Sequence, residues 1–211
     1  MNFYIADCHF GHDKARELDD RPFSTVEEMD EAMIERWNSV VTRKKDEVVI
    51  LGDFCFGKGE RANELLHRLN GKKYLVPGNH DRLFLRDKKF DPSLFEWIKP
   101  YAERKDNGRK LVLCHYPIIC YNGQYHGDST YMLYGHVHNT KDYQNVLRFR
   151  EESTQITYHA KGKAGSIGEE RSLACNMINC FAGFSDYRPL TLDEWIRLDL
   201  EQRETGDHTK E

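Results

Sequence analysis

Short apolar runs that stop abruptly at polar residues alternate along this chain with longer stretches of helical periodicity. The first run, Phe3 to Ala6, ends at Asp7. In "STVEEMDEAMIERWNSVV" the residues Met29, Met33, Ile34 and Trp37 recur at helical spacing, and Ser24 with Glu27 three residues on reads as a capping box. "EVVILGD" is a β-branched buried strand ending at Gly52 and Asp53. "ERANELLHRLNG" predicts a second helix closed by Gly71 at the C′ position, and "KKYLVPGN" a third strand. Strand, helix, strand, helix, strand is the opening pattern.

Beyond Asp81 the periodicity weakens. "SLFEWI" reads as a short helix, "RKLVLCHYP" and "YMLYGHVH" as strands, and each of those strands again ends in His. The polar stretch 139–171 reads as an excursion that could form a rim, with "YQNVLRFREE" helical and "KGKAGSIGEE" a loop in which Lys161 and Lys163 are solvated. "SLACNMINC" suggests a late strand, and "TLDEWIRLDLEQ" a final helix capped by Thr191 with Glu194 at N3. Periodicity alone predicts an open, doubly wound α/β sheet.

Composition changes the picture only by exclusion. A chain of 211 residues, 39% hydrophobic, suits one domain spanning 1–211. Its formal charge of -4, with Lys and Arg in scattered clusters, makes a nucleic-acid partner unexpected. Met1 leads straight into "FYIA", with no basic leader and no long apolar run, which predicts a cytoplasmic chain without a membrane partner. In that compartment the six cysteines are expected as free thiols, and no C-x-x-C pair suggests a zinc knuckle. Cys8, Cys55 and Cys114 read as packing residues.

The chemistry gathers at the strand ends, which read in order "DCH", "GDFC", "GNHD", "CHYP" and "GHVH". In α/β sheets, residues just past the carboxyl ends of strands converge in space. Asp7 with His9, and His136 with His138, are two apart, so in extended chain each pair offers two ligands to one place. Gly52, Gly78 and Gly135 allow the backbone a close approach. Asp carboxylate, neutral imidazole and an Asn carbonyl suit divalent ions such as Mn, Fe or Zn. Asp7, His9, Asp53, Asn79, His115, His136 and His138 make seven candidates, too many for one tetrahedral ion and enough for two ions sharing a carboxylate.

The ordered set D-x-H, G-D, G-N-H-D, a lone strand-end His and G-H-x-H, spanning Asp7 to His138, resembles the calcineurin-like metallophosphoesterase superfamily. "DCHFGH", "RPF" and "GDFCFG" further resemble a group of small bacterial and phage phosphoesterases. The resemblance implies a β-sandwich flanked by α-helices, in four layers αββα, with the site at one edge. It assigns Asp7, His9 and His138 to one metal, Asn79, His115 and His136 to the other, and Asp53 to the bridge. It implies two divalent ions, Mn foremost, that share a bridging hydroxide and hydrolyse small or nucleotide-like phosphomonoesters or phosphodiesters. His80 is then a non-ligand catalytic residue acting on the leaving-group oxygen, with Asn79 helping to orient the phosphoryl group.

His12 and Arg21 are further candidates for contact with the substrate phosphate, though His12 could equally serve its own loop and Arg21 is rather expected, as a surface residue, to fix its own. Asp81 reads as a structural turn residue. Two other functions remain open: a nuclease related to double-strand-break repair enzymes, and a metal-scaffold protein without catalysis. Against the first stands the lack of a basic face; against the second, the completeness of the motif set.

Overall fold

The apolar runs pair into two sheets rather than one. The computed structural model describes residues 1–161 and 166–205. Its strands are β1 (Asn2–Ile5), β2 (Glu47–Ile50), β3 (Lys72–Leu75), β4 (Trp97–Ile98), β5 (Tyr101–Asp106), β6 (Arg109–Cys114), β7 (Thr130–Tyr134), β8 (Thr157–Lys161), β9 (Ile167–Ser172) and β10 (Met177–Asn179), and its helices include the short α1 (Asp13–Leu18) and α4 (Arg82–Leu85). The first four form an all-parallel sheet in sequence order. The second sheet has the order β10-β7-β6-β5 and is parallel except for the β5–β6 hairpin. β8 and β9 make a separate antiparallel ribbon.

Alternation along the strands explains why neither main sheet stands alone. Phe3 and Ile5 of β1, with Val48 and Ile50 of β2, pack against Met29, Met33 and Trp37 of α2 (Val26–Val40) and Leu65 of α3 (Gly59–Arg68). Tyr4, Val49 and Leu51, pointing the other way, meet Leu111, Leu113, Leu133 and Ile178 of the second sheet. That sheet's far face, through Val112, Met132 and Tyr134, covers Tyr143 and Val146 of α5 (Lys141–Thr154). The layers therefore run helix, sheet, sheet, helix, and strands buried on both faces read as continuous apolar runs. α6 (Leu192–Thr205) joins the inter-sheet core through Leu192 and Trp195, whose indole N–H donates to the Tyr4 carbonyl at 2.9 Å. Emptying a buried ring site such as Trp37 would cost about 3–5 kcal/mol.

Several expectations are corrected. The single open sheet fails because buried parallel strands look alike whichever sheet they enter. The first capping box sits one residue later: Thr25 Oγ1 accepts from Glu28 N at 3.1 Å, and Glu28 Oε2 accepts from Ser24 N at 2.8 Å. "SLFEWI" is no helix. A single 3-10 turn, Pro92–Leu94, is held where Asp91 accepts from Ser93 N at 2.9 Å, and Trp97 then packs, tilted, against Tyr74 as part of β4.

β5 escaped the periodicity reading because it has only alternating half-buried positions. Its signal was the Asn107-Gly108 pair, whose φ of 45° and 78° matches the tight hairpin turn that this dipeptide favours. In the excursion α5 forms as expected, but Ile167–Ser172 is strand, not loop. Lys161 ends β8, and Lys163 lies outside the described residues. The Thr191–Glu194 box forms as read, with Glu194 Oε2 accepting from Thr191 N at 2.8 Å. No helix among the described residues is long and apolar enough to cross a membrane.

Candidate metal centre

The loops after β1, β2, β3, β6 and β7 meet at the carboxyl edge of the sandwich. Backbone bonds lace them together: Asp7 N donates to Gly52 O at 3.0 Å, His9 N to Asp53 O at 2.9 Å and Gly135 N to His115 O at 2.9 Å. Asp7, His9, Asp53, His136 and His138 all have positive φ, between 44° and 73°. The paired residues therefore converge not through extended chain, as expected, but because each left-handed residue turns the chain sharply so that its side chain faces the common centre. Such residues cluster at functional sites because their strain, about 1–3 kcal/mol each, persists only where the surroundings enforce it.

Close packing beneath the centre demands glycine at 52, 78 and 135; a Cβ on Gly135 would lie 2.6 Å from the Ala6 Cβ and 2.7 Å from Asp7 Oδ2. A Cβ on Gly52 would lie 2.2 Å from His115 Nδ1, and one on Gly78 would lie 2.1 Å from Asp53 Oδ1. Cys8, between two site residues, is fully buried in the core with Phe10 and Met29, as its position in the motif suggested.

Two donor groups share one carboxylate. Asp7, His9, Asp53 and His138 bring ligand atoms within 4.8 Å of one another, as do Asp53, His115 and His136. Asp53 Oδ2 lies 3.7 Å from His9 Nε2 and 3.5 Å from His115 Nε2, between the two groups. His9 Nε2 and His138 Nε2 are 3.1 Å apart, and Asn79 Oδ1 is 3.2 Å from His115 Nε2. All seven candidate ligands therefore meet in one place.

The electrostatics fit a cation there. Burial pushes the Asp7 carboxyl up to about 7, opposed by His138 and assisted by Asp53. It also pushes the His9, His115 and His136 imidazoles down. No Lys or Arg forms an ion pair with Asp7 or Asp53 among the described residues. Buried carboxylates with neutral imidazoles and an amide oxygen match divalent ions of the Mn, Fe and Zn type.

A second set of contacts aims the ligands. Leu51 O can only accept, so His115 Nδ1 donates to it at 2.8 Å and leaves Nε2 facing the centre. Asp19 Oδ1 plays the same part for His138 Nδ1 at 2.7 Å. Burial would raise the Asp19 pKa, but the His138 hydrogen bond and charge and the Arg21 guanidinium hold it below the usual range. Asp81, buried, accepts from Gly78 N, Asp53 N and Phe54 N at 2.7–2.9 Å, the structural part expected of it. His80 N donates to Asp53 Oδ1 at 2.8 Å, and its half-buried ring stands 5.2 Å from that of His9.

Arg21 is not available to a substrate. Its side chain is 0% exposed, and the guanidinium binds Cys8 O at 2.7 Å, Asp7 O at 3.0 Å and the Asp19 carboxylate, so it fastens the first loop instead. His12 remains at the rim, with Nδ1 3.2 Å from His9 Nδ1 and its ring stacked on Phe56 at 4.4 Å. Sequence reasoning missed Asp19, Phe181, which stacks on His138 at 4.8 Å, and Tyr116, whose ring meets His136 at 4.6 Å. Asp19 sits in "LDDRPF", where nothing in the spacing separates an aiming carboxylate from a solvated one. A cavity of about 760 Å³ beside α5 is lined by none of the candidate ligands, so donor chemistry rather than volume locates the site.

A helix-flanked sandwich carrying buried carboxylates and imidazoles at its strand ends defines a metal-dependent hydrolase. The chain belongs to the calcineurin-like phosphoesterase family, whose family model matches residues 3–164, and it is a metal-dependent phosphoester hydrolase. Over 138 residues it is 37% identical to an uncharacterised protein of Methanocaldococcus jannaschii, covering 64% of this chain and 68% of that one. A crystal structure of a protein of unknown function from Aquifex aeolicus shares the fold, with a TM-score of 0.60 and 23% identity over 94% of this chain and 98% of that one.

Proposed function

We propose that the chain, as one domain, holds two divalent ions and hydrolyses small or nucleotide-like phosphoesters. The observation that carries this reading is the position of Asp53 Oδ2 between His9 Nε2 and His115 Nε2, where one carboxylate serves two neighbouring sites. Asp7, His9, Asp53 and His138 would hold one ion, and Asp53, Asn79, His115 and His136 the other, with Mn favoured over Fe or Zn. Bound there, the ions supply Lewis-acid stabilisation of phosphoryl charge and a nucleophilic water at neutral pH.

The chain's own residues account for orientation and proton movement. The buried strap of Arg21 and Asp19 fixes the backbone of Asp7 and the ring of His138. Asn79 lies at the mouth with its amide N–H groups suited to a phosphoryl oxygen. His80 is the proton donor: as water forms the new P–O bond and the ester P–O bond breaks, it protonates the departing oxygen and is reprotonated from solvent.

The test is hydrolysis of a panel of generic phosphomonoesters and phosphodiesters with Mn and with chelator, run on the wild type and on Asp53→Asn. Chelator-sensitive hydrolysis is expected, with both metal sites weakened in the variant. Hydrolysis that ignores chelator, or one saturating ion per chain, would refute the reading.

A further inference from the structure

A recess of about 400 Å³ opens from the His80 side of the centre, lined by Phe56, Asn79, His80, Arg82, Leu83 and Arg86. Three features of it have no use in holding ions. Phe56 is 46% exposed although its neighbours Phe54 and Cys55 are buried. His12 stacks on its ring at 4.4 Å with the planes 12° apart, and the same His12 lies 5.5 Å from His80, so a file of rings leads from the centre into the recess. Arg82 and Arg86, one turn apart at the start and end of the segment Arg82–Arg86, are both exposed. Neither guanidinium has an acidic partner among the described residues, whereas Arg61 and Arg68 on α3 are paired with Asp30 and Glu31.

We propose that this recess is the leaving-group subsite and that it selects phosphoesters whose leaving group is itself a nucleotide. A flat base would stack on Phe56, as bases do on exposed aromatic rings whatever their identity. A second phosphate, carried on the departing group, would lie between Arg82 and Arg86, whose guanidinium forks suit phosphate oxygens. The recess takes the leaving group rather than the transferred phosphoryl because His80, the residue that protonates the departing oxygen, forms its inner wall. Its volume is at the lower end of ordinary ligand pockets and suits a nucleoside-sized group. The inference rests on the phosphoesterase reading and adds to it the substrate class.

Three substrates separate the contributions: glycerol phosphate, with neither ring nor second anion; adenosine 3′-monophosphate, with the ring; and adenosine 3′,5′-bisphosphate, with both. For the wild type, KM should fall about tenfold at each addition. Phe56→Ala should raise KM for both adenosine esters by about tenfold and leave glycerol phosphate unchanged. Arg82→Ala/Arg86→Ala should raise KM for the bisphosphate alone. Adenosine 5′-monophosphate should also bind chelator-treated wild-type protein, by calorimetry, and bind Phe56→Ala at least tenfold more weakly. Equal KM values for the three esters, or variants that affect all three alike, would overturn the subsite while leaving the phosphoesterase reading in place. Absence of hydrolysis for every ester would instead remove the phosphoesterase reading, and the calorimetry would then decide the recess alone.

Discussion

Asp19→Asn isolates the residue that aims His138. Asp19 Oδ1 takes the His138 Nδ1 proton at 2.7 Å, while Oδ2 takes Arg21 Nε at 3.1 Å and Nη2 at 2.9 Å. A carboxylate has acceptors for both neighbours; an amide has one carbonyl and one NH2. If the carbonyl faces His138, the NH2 is pressed against guanidinium donors. If it faces Arg21, His138 Nδ1 must accept, and its proton moves to Nε2, which removes the lone pair that points at the centre. The second arrangement disables His138 as a ligand while leaving its side chain in place; the first keeps the tautomer but sets an NH2 against the guanidinium that holds the Asp7 backbone. Loss of such an outer hydrogen bond typically costs 10–100-fold in metal affinity, or about 1.4–2.7 kcal/mol. Calorimetric titration with Mn should show one site weakened by that factor and the other, which Asn79, His115 and His136 would serve, little changed. A thermal melt of the metal-free variant controls for general unfolding. Two sites of wild-type affinity would refute the argument that Asp19 sets the tautomer.

His80→Ala should leave metal content intact and slow alkyl phosphoesters about 10²–10⁴-fold, with a much smaller loss on p-nitrophenyl esters, whose phenolate departs without a proton. Steady-state kinetics on the two ester classes checks this, and a uniform loss would assign His80 to phosphate positioning. Gly78→Ala would place a Cβ 2.1 Å from Asp53 Oδ1 and 2.6 Å from Asp53 N, so the shared carboxylate must move with its backbone. A stability loss of about 1–3 kcal/mol and weakening of both metal sites are expected, by denaturant titration and elemental analysis.

The centre was far more legible in the sequence than the fold around it. Candidate ligand types are short, chemically distinct and placed at strand ends, so Asp7, His9, Asp53, Asn79, His115, His136 and His138 could be nominated from order and spacing, and the structure brings their donor atoms together. What spacing could not supply was conformation: the pairs converge through left-handed turns, not through extended chain. The sandwich itself was not legible from periodicity, because Val49 facing a second sheet and Val48 facing a helix have the same side chain. The two readings of Arg21 could not be separated by spacing for a related reason. A guanidinium that binds phosphate and one that binds backbone carbonyls look alike until burial is known.

The way these loops are held decides what an ion does for the fold. His136 N donates to both Asp7 oxygens at 3.0 Å, His80 N holds Asp53, Asp81 collects three backbone N–H groups, and Arg21 collects two backbone carbonyls. Together these contacts enforce the five left-handed residues, each of which costs roughly 1–2 kcal/mol on its own. These contacts predict a centre organised by the protein itself, unlike small zinc modules whose folding is their metal binding. Removing the ions should cost only the binding linkage, about 2.7 kcal/mol for each ion at a free ion concentration one hundred times its dissociation constant. Chelated protein should keep its near-ultraviolet circular dichroism, to which Trp37 and Trp195 in the two cores contribute. Collapse of that signal on chelation would show that the ions, not the strap of Arg21, Asp19 and Asp81, set the loops.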